Sequence, residues 1–348
     1  SLVGSEMCIR DRYKPLPSSI IAEGIDCFGV AGDRGDVAMV GYGAARYALA
    51  SGNRNEAEKL WPLIEWCLEY CHRQLNVDGV VKSDSDELEN RFPAGKANLC
   101  TSSLYYDALI SAAYLGKALK KEHKQIKSYQ DRAAELYKNI DVYFARNVEG
   151  YDTYRYYDGN TVLRSWICIP LTMGIYEQAK GTVEALFSDK LWMENGLLTQ
   201  SGTSTYWDRS TLYAFRGAYS CGARDIATEY LDKYSATRLL GDHVPYAVEA
   251  WPEGNQRHLS TESALYCRIM TEGLFGIRPI ALDAFVMTPQ LPESWNMMSL
   301  KRVCAFGSIF DIEVKRDKDN KLSVLIKKDH KIVKRSKIMN GKPIEVRI

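Results

Sequence analysis

The chain has 348 residues, of which 46% are hydrophobic and 26% are charged, and its formal net charge is +1. These values are typical of a globular protein with one large domain, or with one large and one small domain. The sequence contains no run of about 18 apolar residues, which is the length needed to span a membrane as a helix. The stretch from Lys315 to Arg347 is basic, with 12 Lys/Arg against 4 Asp/Glu, but its lysines alternate with Val, Ile and Leu, which indicates a solvated sheet face rather than a nucleic-acid site.

The first twelve residues resemble a translated sequencing-adapter read. They fit neither a helix nor a strand, and a signal peptide needs a longer apolar core. We therefore expect residues 1–12 to be an artefact, with native sequence entering near Tyr13, already inside a domain. Any export signal would then lie upstream, and a periplasmic or extracellular location is favoured.

Helical periodicity recurs through most of the chain. It predicts helices at 36–50, 55–75, 99–119, 125–146, 161–177, 180–189, 205–220, 224–236 and 258–275.

The connections between these helices alternate in length. Short links follow the first, third, fifth and seventh helices, whereas long loops precede those helices. Compact domains favour short connections, and long loops tend to be functional. Helical hairpins of this kind put every long loop on one face, which is the arrangement of a double-layered α/α toroid. If the helix at 258–275 is the twelfth and last, the helix at 36–50 is the fourth, and about three early helices are expected to be missing.

After Pro279 the pattern changes to that of a small β module. Residues 310–314 and 322–326 alternate as strands, and Asn340-Gly341 predicts a hairpin turn between 337–339 and 343–346. We expect a partial catalytic domain over 13–279 and a β module over 280–348.

The nine cysteines form no CxxC pair and no cluster with zinc-like spacing. Cys67 and Cys71 are one helical turn apart and are predicted to be buried thiols. The sequence implies no metal and no organic cofactor.

Two of the long loops are rich in acidic and hydroxyl side chains. Residues 83–89 crowd carboxylates and hydroxyls, either as a solvated acidic loop or as a group whose crowding raises the pKa of one member, as a general acid requires. The loop at 22–35 ends in Asp33, Arg34 and then Asp36, which either caps the next helix or joins the other two in binding sugar hydroxyls.

A third long loop, at 237–257, brackets its acidic residues with aromatic rings. Glu249 and Glu253 are flanked there by Tyr246 and Trp251, and His258 follows. Glycoside hydrolysis requires two carboxyl groups, one on each side of the bond that is cleaved. Two acidic loops on the same face meet this requirement.

At these loops the chain resembles the six-hairpin glycosidase superfamily, which includes glucoamylases, trehalases, processing α-glucosidases and α-L-rhamnosidases. Glu249-Ala-Trp251 resembles the form in which many members present the catalytic base, so Glu249 is preferred over Glu253. Asp86-Glu-Leu-Glu89 resembles the Asp-x-x-Glu acid motif, which favours Glu89 and keeps Glu87 and Asp86 as alternates.

The resemblance implies an (α/α)6 toroid and inverting hydrolysis of a glycoside, oligosaccharide or polysaccharide. Gly32-Asp-Arg-Gly-Asp36 resembles the segment with an Arg-Asp pair that binds sugar hydroxyls before the fourth helix, and Tyr206-Trp-Asp-Arg209 resembles the aromatic wall before the tenth. The substrate-binding residues that it implies are Asp33, Arg34, Asp36, Trp207, Asp208, Tyr246, Trp251 and His258.

Two alternatives remain open at this point. A polysaccharide lyase on the same toroid removes a proton with Tyr or His, and His243, His258 and Tyr246 would supply such a group. A non-catalytic glycan-binding toroid would bind sugar without turnover. The sequence does not identify the sugar, the linkage or the anomer.

Overall fold

The computed structural model describes residues 34–83, 86, 92–240, 250–251 and 260–348. The chain forms two compact units. The first comprises residues up to 49 together with 53–145 and 154–160, and the second comprises 50–52, 146–153 and 161–348.

The described part of the first unit contains four long helices: α1 (Arg34–Ser51), α2 (Arg54–Arg73), α3 (Leu99–Ala118) and α4 (His123–Phe144). Asparagines start two of them, because the side chain of Asn53 accepts hydrogen bonds from two backbone amides of α2 and that of Asn98 accepts one from Thr101. The predicted bounds of these four helices agree with the observed ones to within two residues.

The cysteine prediction for α2 is confirmed. Cys67 and Cys71 are both buried. Burial, together with the neighbouring Cys67, holds the pKa of Cys71 well above its ordinary value.

The helices of the second unit are shorter. A 3₁₀ turn (Ser165–Ile167) continues into α5 (Cys168–Met173), and α6 (Ala179–Leu186), α7 (Asp208–Ser220), α8 (Arg224–Arg238) and α9 (Ser260–Arg268) follow, with a π-helical turn at Ile269–Leu274. Helix α5 packs closely on α7, because a Cβ at Gly217 would lie 2.9 Å from the Cβ of Leu171. No helix in the described part of the chain combines the length and apolarity needed to cross a bilayer.

Three short strand pairs lie in the long connections, where only loop or helix was predicted. They pair β1 (Ala145–Val148) with β2 (Tyr151–Tyr154), β3 (Trp192–Met193) with β4 (Gly196–Leu197), and β5 (Tyr206–Trp207) with β6 (Ala250–Trp251). The prediction that helix began at 205 was therefore wrong by three residues, because Tyr206 and Trp207 pair with a segment more than 40 residues away, which no local pattern shows.

The C-terminal module contains two antiparallel sheets. The first sheet contains β7 (Ile277–Ala281), β8 (Ala284–Met287) and β13 (Ile344–Arg347), in the order β13-β8-β7. The second sheet is a meander of β9 (Met297–Ala305), β10 (Ser308–Arg316), β11 (Leu322–Lys328) and β12 (Lys331–Ile338), in the order β12-β11-β10-β9. Phe285, Phe306 and Phe310 form the aromatic core of the module, with Phe285 stacked 5.0 Å and 5.6 Å from the other two ring centroids.

The Asn340-Gly341 turn forms, but the predicted hairpin was wrong. Strand β12 before the turn pairs with β11, whereas β13 after it pairs with β8 in the other sheet. The Asn340 side chain accepts from the Leu291 amide at 3.1 Å and donates to the Leu291 carbonyl at 2.7 Å. Gly341, with φ of 75°, donates its amide to the Pro289 carbonyl. The turn is thus held by residues 289–291 and passes the chain from one sheet to the other.

Candidate active site

The structure describes the side chains of only part of the predicted site. Those of Asp36, Asp86, Trp207 and Asp208 are described, and Arg34 and Trp251 are described in their backbone. The remaining predicted residues lie outside the described part of the chain: Asp33, Glu87, Glu89, His243, Tyr246, Glu249, Glu253 and His258. Their roles stay predictions.

Among the acidic residues of the segment 83–89, Asp86 is the one that the structure describes. Its side chain is 3% exposed, and the hydroxyl of Tyr156 donates a hydrogen bond of 2.6 Å to its Oδ2. The backbone of Tyr156 is itself fixed, because its amide donates to Asn160 Oδ1 and its carbonyl accepts from the Leu99 amide at the start of α3.

Asp86 stays a predicted alternate to Glu89 as the general acid, beside Glu87. Sequence reasoning missed Tyr156, which is 70 positions from Asp86 in a tyrosine-rich stretch that gave no periodic signal.

Asp36 lies in the first turn of α1, which begins at Arg34. The expected role as N-cap was therefore wrong, because the helix starts two residues earlier than predicted. A carboxylate in the first turn still interacts favourably with the positive end of the helix dipole.

Trp207 lies in the core of the second unit. It is 3% exposed, its ring centroid is 6.5 Å from that of Trp166, and Trp166 in turn makes an edge contact with Tyr213. Stacking on a sugar requires an exposed ring face, so the expectation that Trp207 stacks on substrate is corrected. The ring instead supports β5 from within.

Asp208 is also placed differently from the expectation. Its carboxylate is fully buried and pairs with the guanidinium of Arg238 at 3.0 Å, and both side chains are 2% exposed or less. Burial, followed by the Asp208 charge, raises the pKa of Tyr234 well above its ordinary value. A carboxylate so enclosed does not reach a sugar hydroxyl, so Asp208 is a structural ion-pair partner rather than a substrate ligand.

The neighbouring Arg209 forms a second ion pair that sequence reasoning missed. Its Nε donates to Glu262 Oε1 at 2.7 Å, with side-chain exposures of 17% for Arg209 and 0% for Glu262. An acidic residue in the first turn of α9 was the available signal, although helix-dipole stabilisation alone would have explained it.

Comparisons with known proteins place the fold. No protein-family model matches the chain, and no curated protein matches its sequence. Among solved structures, a sialidase is similar at 15% identity with a TM-score of 0.67, over 88% of this chain and 32% of the sialidase. An α-L-rhamnosidase from Dictyoglumus thermophilum is similar at 14% identity with a TM-score of 0.57, over 97% and 41% of the two chains. A GH78 family rhamnosidase of Bacillus sp. GL1 is similar at 13% identity with a TM-score of 0.51, over 81% and 29%.

These likenesses show the fold. The chain has the mainly α toroid class with a C-terminal β module that the sequence predicted. It spans between 29% and 41% of the length of the three structures.

Proposed function

We propose that this protein is a glycoside hydrolase that cleaves a glycosidic bond with a general acid and a general base, both carboxylates. One observation carries the proposal: the chain shares its fold with a sialidase and two rhamnosidases while two of its long connections hold the paired acidic residues that this chemistry requires. Fold alone does not determine function, so the site residues must be tested individually.

In the proposed mechanism Glu89 protonates the departing glycosidic oxygen and Glu249 activates a water on the opposite face of the sugar. Inversion requires the two carboxyl groups to be about 6.5–9.5 Å apart, which leaves room for that water. Glu87 and Asp86 are the alternate acids. Glu253 is the alternate base.

The proposed substrate is a glycoside, oligosaccharide or polysaccharide. Asp33, Arg34 and Asp36 are proposed to bind its hydroxyls, Tyr246 and Trp251 to pack on its sugar faces, and His258 to contribute a further substrate contact. The rhamnosidase likenesses make aryl α-L-rhamnosides the first substrates to try.

The test is an assay of the protein, expressed from its complete reading frame, against a panel of aryl glycosides, with the product followed by proton NMR. We expect release of the free sugar with inverted anomeric configuration. A product with an unsaturated ring, seen as new ultraviolet absorbance, would instead identify a lyase, and sugar binding without turnover would identify a glycan-binding toroid.

The acid assignment has its own test. Glu89→Gln should slow substrates with poor leaving groups far more than activated aryl glycosides, because the latter need little protonation. Glu87→Gln is the matched variant two positions away, and a larger effect there would reassign the acid.

A further inference from the structure

The residues Tyr206 to Arg209, which we call the anchor segment, contact the region 238–262 at three separate points. The region begins at the last residue of α8 and ends in the first turn of α9, and it holds both Glu249 and Glu253. Two of the contacts are ion pairs and one is a strand pair, and all three lie within the second unit.

The first contact is at the start of the region. Arg238 ends α8, and its guanidinium donates both to Asp208 Oδ2 at 3.0 Å and to the Asn195 carbonyl at 3.1 Å. Because both charged side chains are buried, their position is defined by packing as well as by charge.

The second contact is at the middle. Tyr206 pairs with Trp251 and Trp207 with Ala250 in antiparallel register. Glu249 directly precedes Ala250 in the sequence.

The third contact is at the end. Glu262 accepts from Arg209 at 2.7 Å through Oε1, its side chain is fully buried, and its Oε2 has no hydrogen-bond partner in the described part of the chain. A buried carboxylate held through one oxygen depends on that single cation, because an unpaired buried charge is costly. The position of the first turn of α9 is therefore coupled to the anchor segment.

We propose that Arg209 and Glu262 are positioning residues. Together with Asp208, Arg238 and the strand pair, they restrain the chain at residues 238, 250–251 and 262, which flank Glu249 and Glu253 in the sequence. This inference rests on the proposed function where it concerns turnover, but the restraint on the region 238–262 stands on the contacts alone. Displacement of a catalytic group by about 1 Å costs on the order of 100-fold in rate, so a restraint of this kind has a kinetic consequence.

The test compares Glu262→Gln with Asp107→Asn. In Glu262→Gln, the side-chain amide keeps the shape of the carboxylate and the oxygen that Arg209 binds, but it removes the negative charge. Asp107 is the matched control because its carboxylate is also fully buried and pairs with a largely buried arginine, Arg46, at 2.9 Å. Arg209→Lys, which keeps the charge and loses the Nε contact, is the second variant if Glu262→Gln does not fold.

Two readouts separate the outcomes. In hydrogen exchange, Glu262→Gln should accelerate exchange in peptides covering 238–262 by about tenfold or more, while Asp107→Asn should leave those peptides unchanged. In turnover of an aryl glycoside below the unfolding transition, kcat should fall about 10- to 100-fold with KM within about threefold, whereas Asp107→Asn should keep kcat within about twofold. A role in stability alone would lower the melting temperature and leave kcat unchanged.

Unchanged exchange and unchanged kcat in both Glu262→Gln and Arg209→Lys would overturn the inference and leave the hydrolase proposal standing. Accelerated exchange in a protein whose wild type hydrolyses no glycoside would support the restraint and overturn the proposed function.

Discussion

Removing the cation from the buried pair of Asp208 and Arg238 should be among the most destabilising single changes in the second unit. The two side chains are 0% and 2% exposed and 3.0 Å apart. Arg238→Met keeps most of the volume but removes the cation beside the buried Asp208 carboxylate. Breaking a buried pair in this way costs about 3–5 kcal/mol of unfolding free energy.

The measurement is urea-induced unfolding followed by circular dichroism at neutral pH. Glu229→Gln is the control on the same helix, because its pair with Lys233 is largely exposed and its loss should not change the free energy of unfolding measurably. The double variant Asp208→Asn with Arg238→Met should recover at least half of the loss, since it removes the uncompensated charge. A loss below about 1 kcal/mol for Arg238→Met, or no recovery in the double variant, would refute the reasoning.

Two further predictions concern single positions. Gly181→Ala should lower the free energy of unfolding by about 1–3 kcal/mol, because a Cβ there would lie 1.9 Å from the Asp152 carbonyl oxygen. Gly43→Ala, with nothing within 4 Å of its Cβ, should instead raise the free energy of unfolding by about 0.5–1 kcal/mol. Equal effects of the two variants in urea unfolding would contradict the close contact at Gly181. Burial and then the Arg132 charge lower the pKa of His72. The contribution of His72 to stability should therefore be complete above its pKa in the unfolded chain, about 6.5, and should decline as the pH falls below that value. An NMR titration midpoint for His72 at or above 6.5 would contradict this prediction.

The helices of the first unit could be predicted from sequence because their signal is local, whereas the helix predicted at 161–177 is observed only as the 3₁₀ turn Ser165–Ile167 and the short helix Cys168–Met173. Periodic apolar residues and asparagine caps such as Asn53 and Asn98 act within one or two turns, and the bounds of α2 and α3 agree closely with prediction. The strand pair of Tyr206–Trp207 with Ala250–Trp251 could not be predicted in the same way, because its hydrogen bonds join segments that are distant in sequence. The Asn340-Gly341 turn shows the same limit, since the local turn was correct and the partner strand was not.

The candidate site divides along a similar line. A residue type in a motif indicates what chemistry is available, but it does not show which groups are already occupied. Trp207 and Asp208 have the residue types that suit a sugar cleft, yet burial and the pairing with Arg238 commit them to the protein interior. Tyr156, Arg209 and Glu262 were missed because each gains its role from a partner at least 50 positions away.

The proposed mechanism depends most on Glu249, whose carboxylate acts as the base of a glycosidase. The most direct measurement is kcat for Glu249→Gln beside Glu253→Gln, four positions away, with substrate affinity measured by calorimetry. We predict that Glu249→Gln lowers kcat by at least about 10³-fold, at the upper part of the range for general base catalysis, with nearly unchanged affinity, because the amide keeps the shape but does not accept a proton. Glu253→Gln should keep most of its turnover. Wild-type-like turnover in Glu249→Gln would contradict the two-carboxylate mechanism at this position.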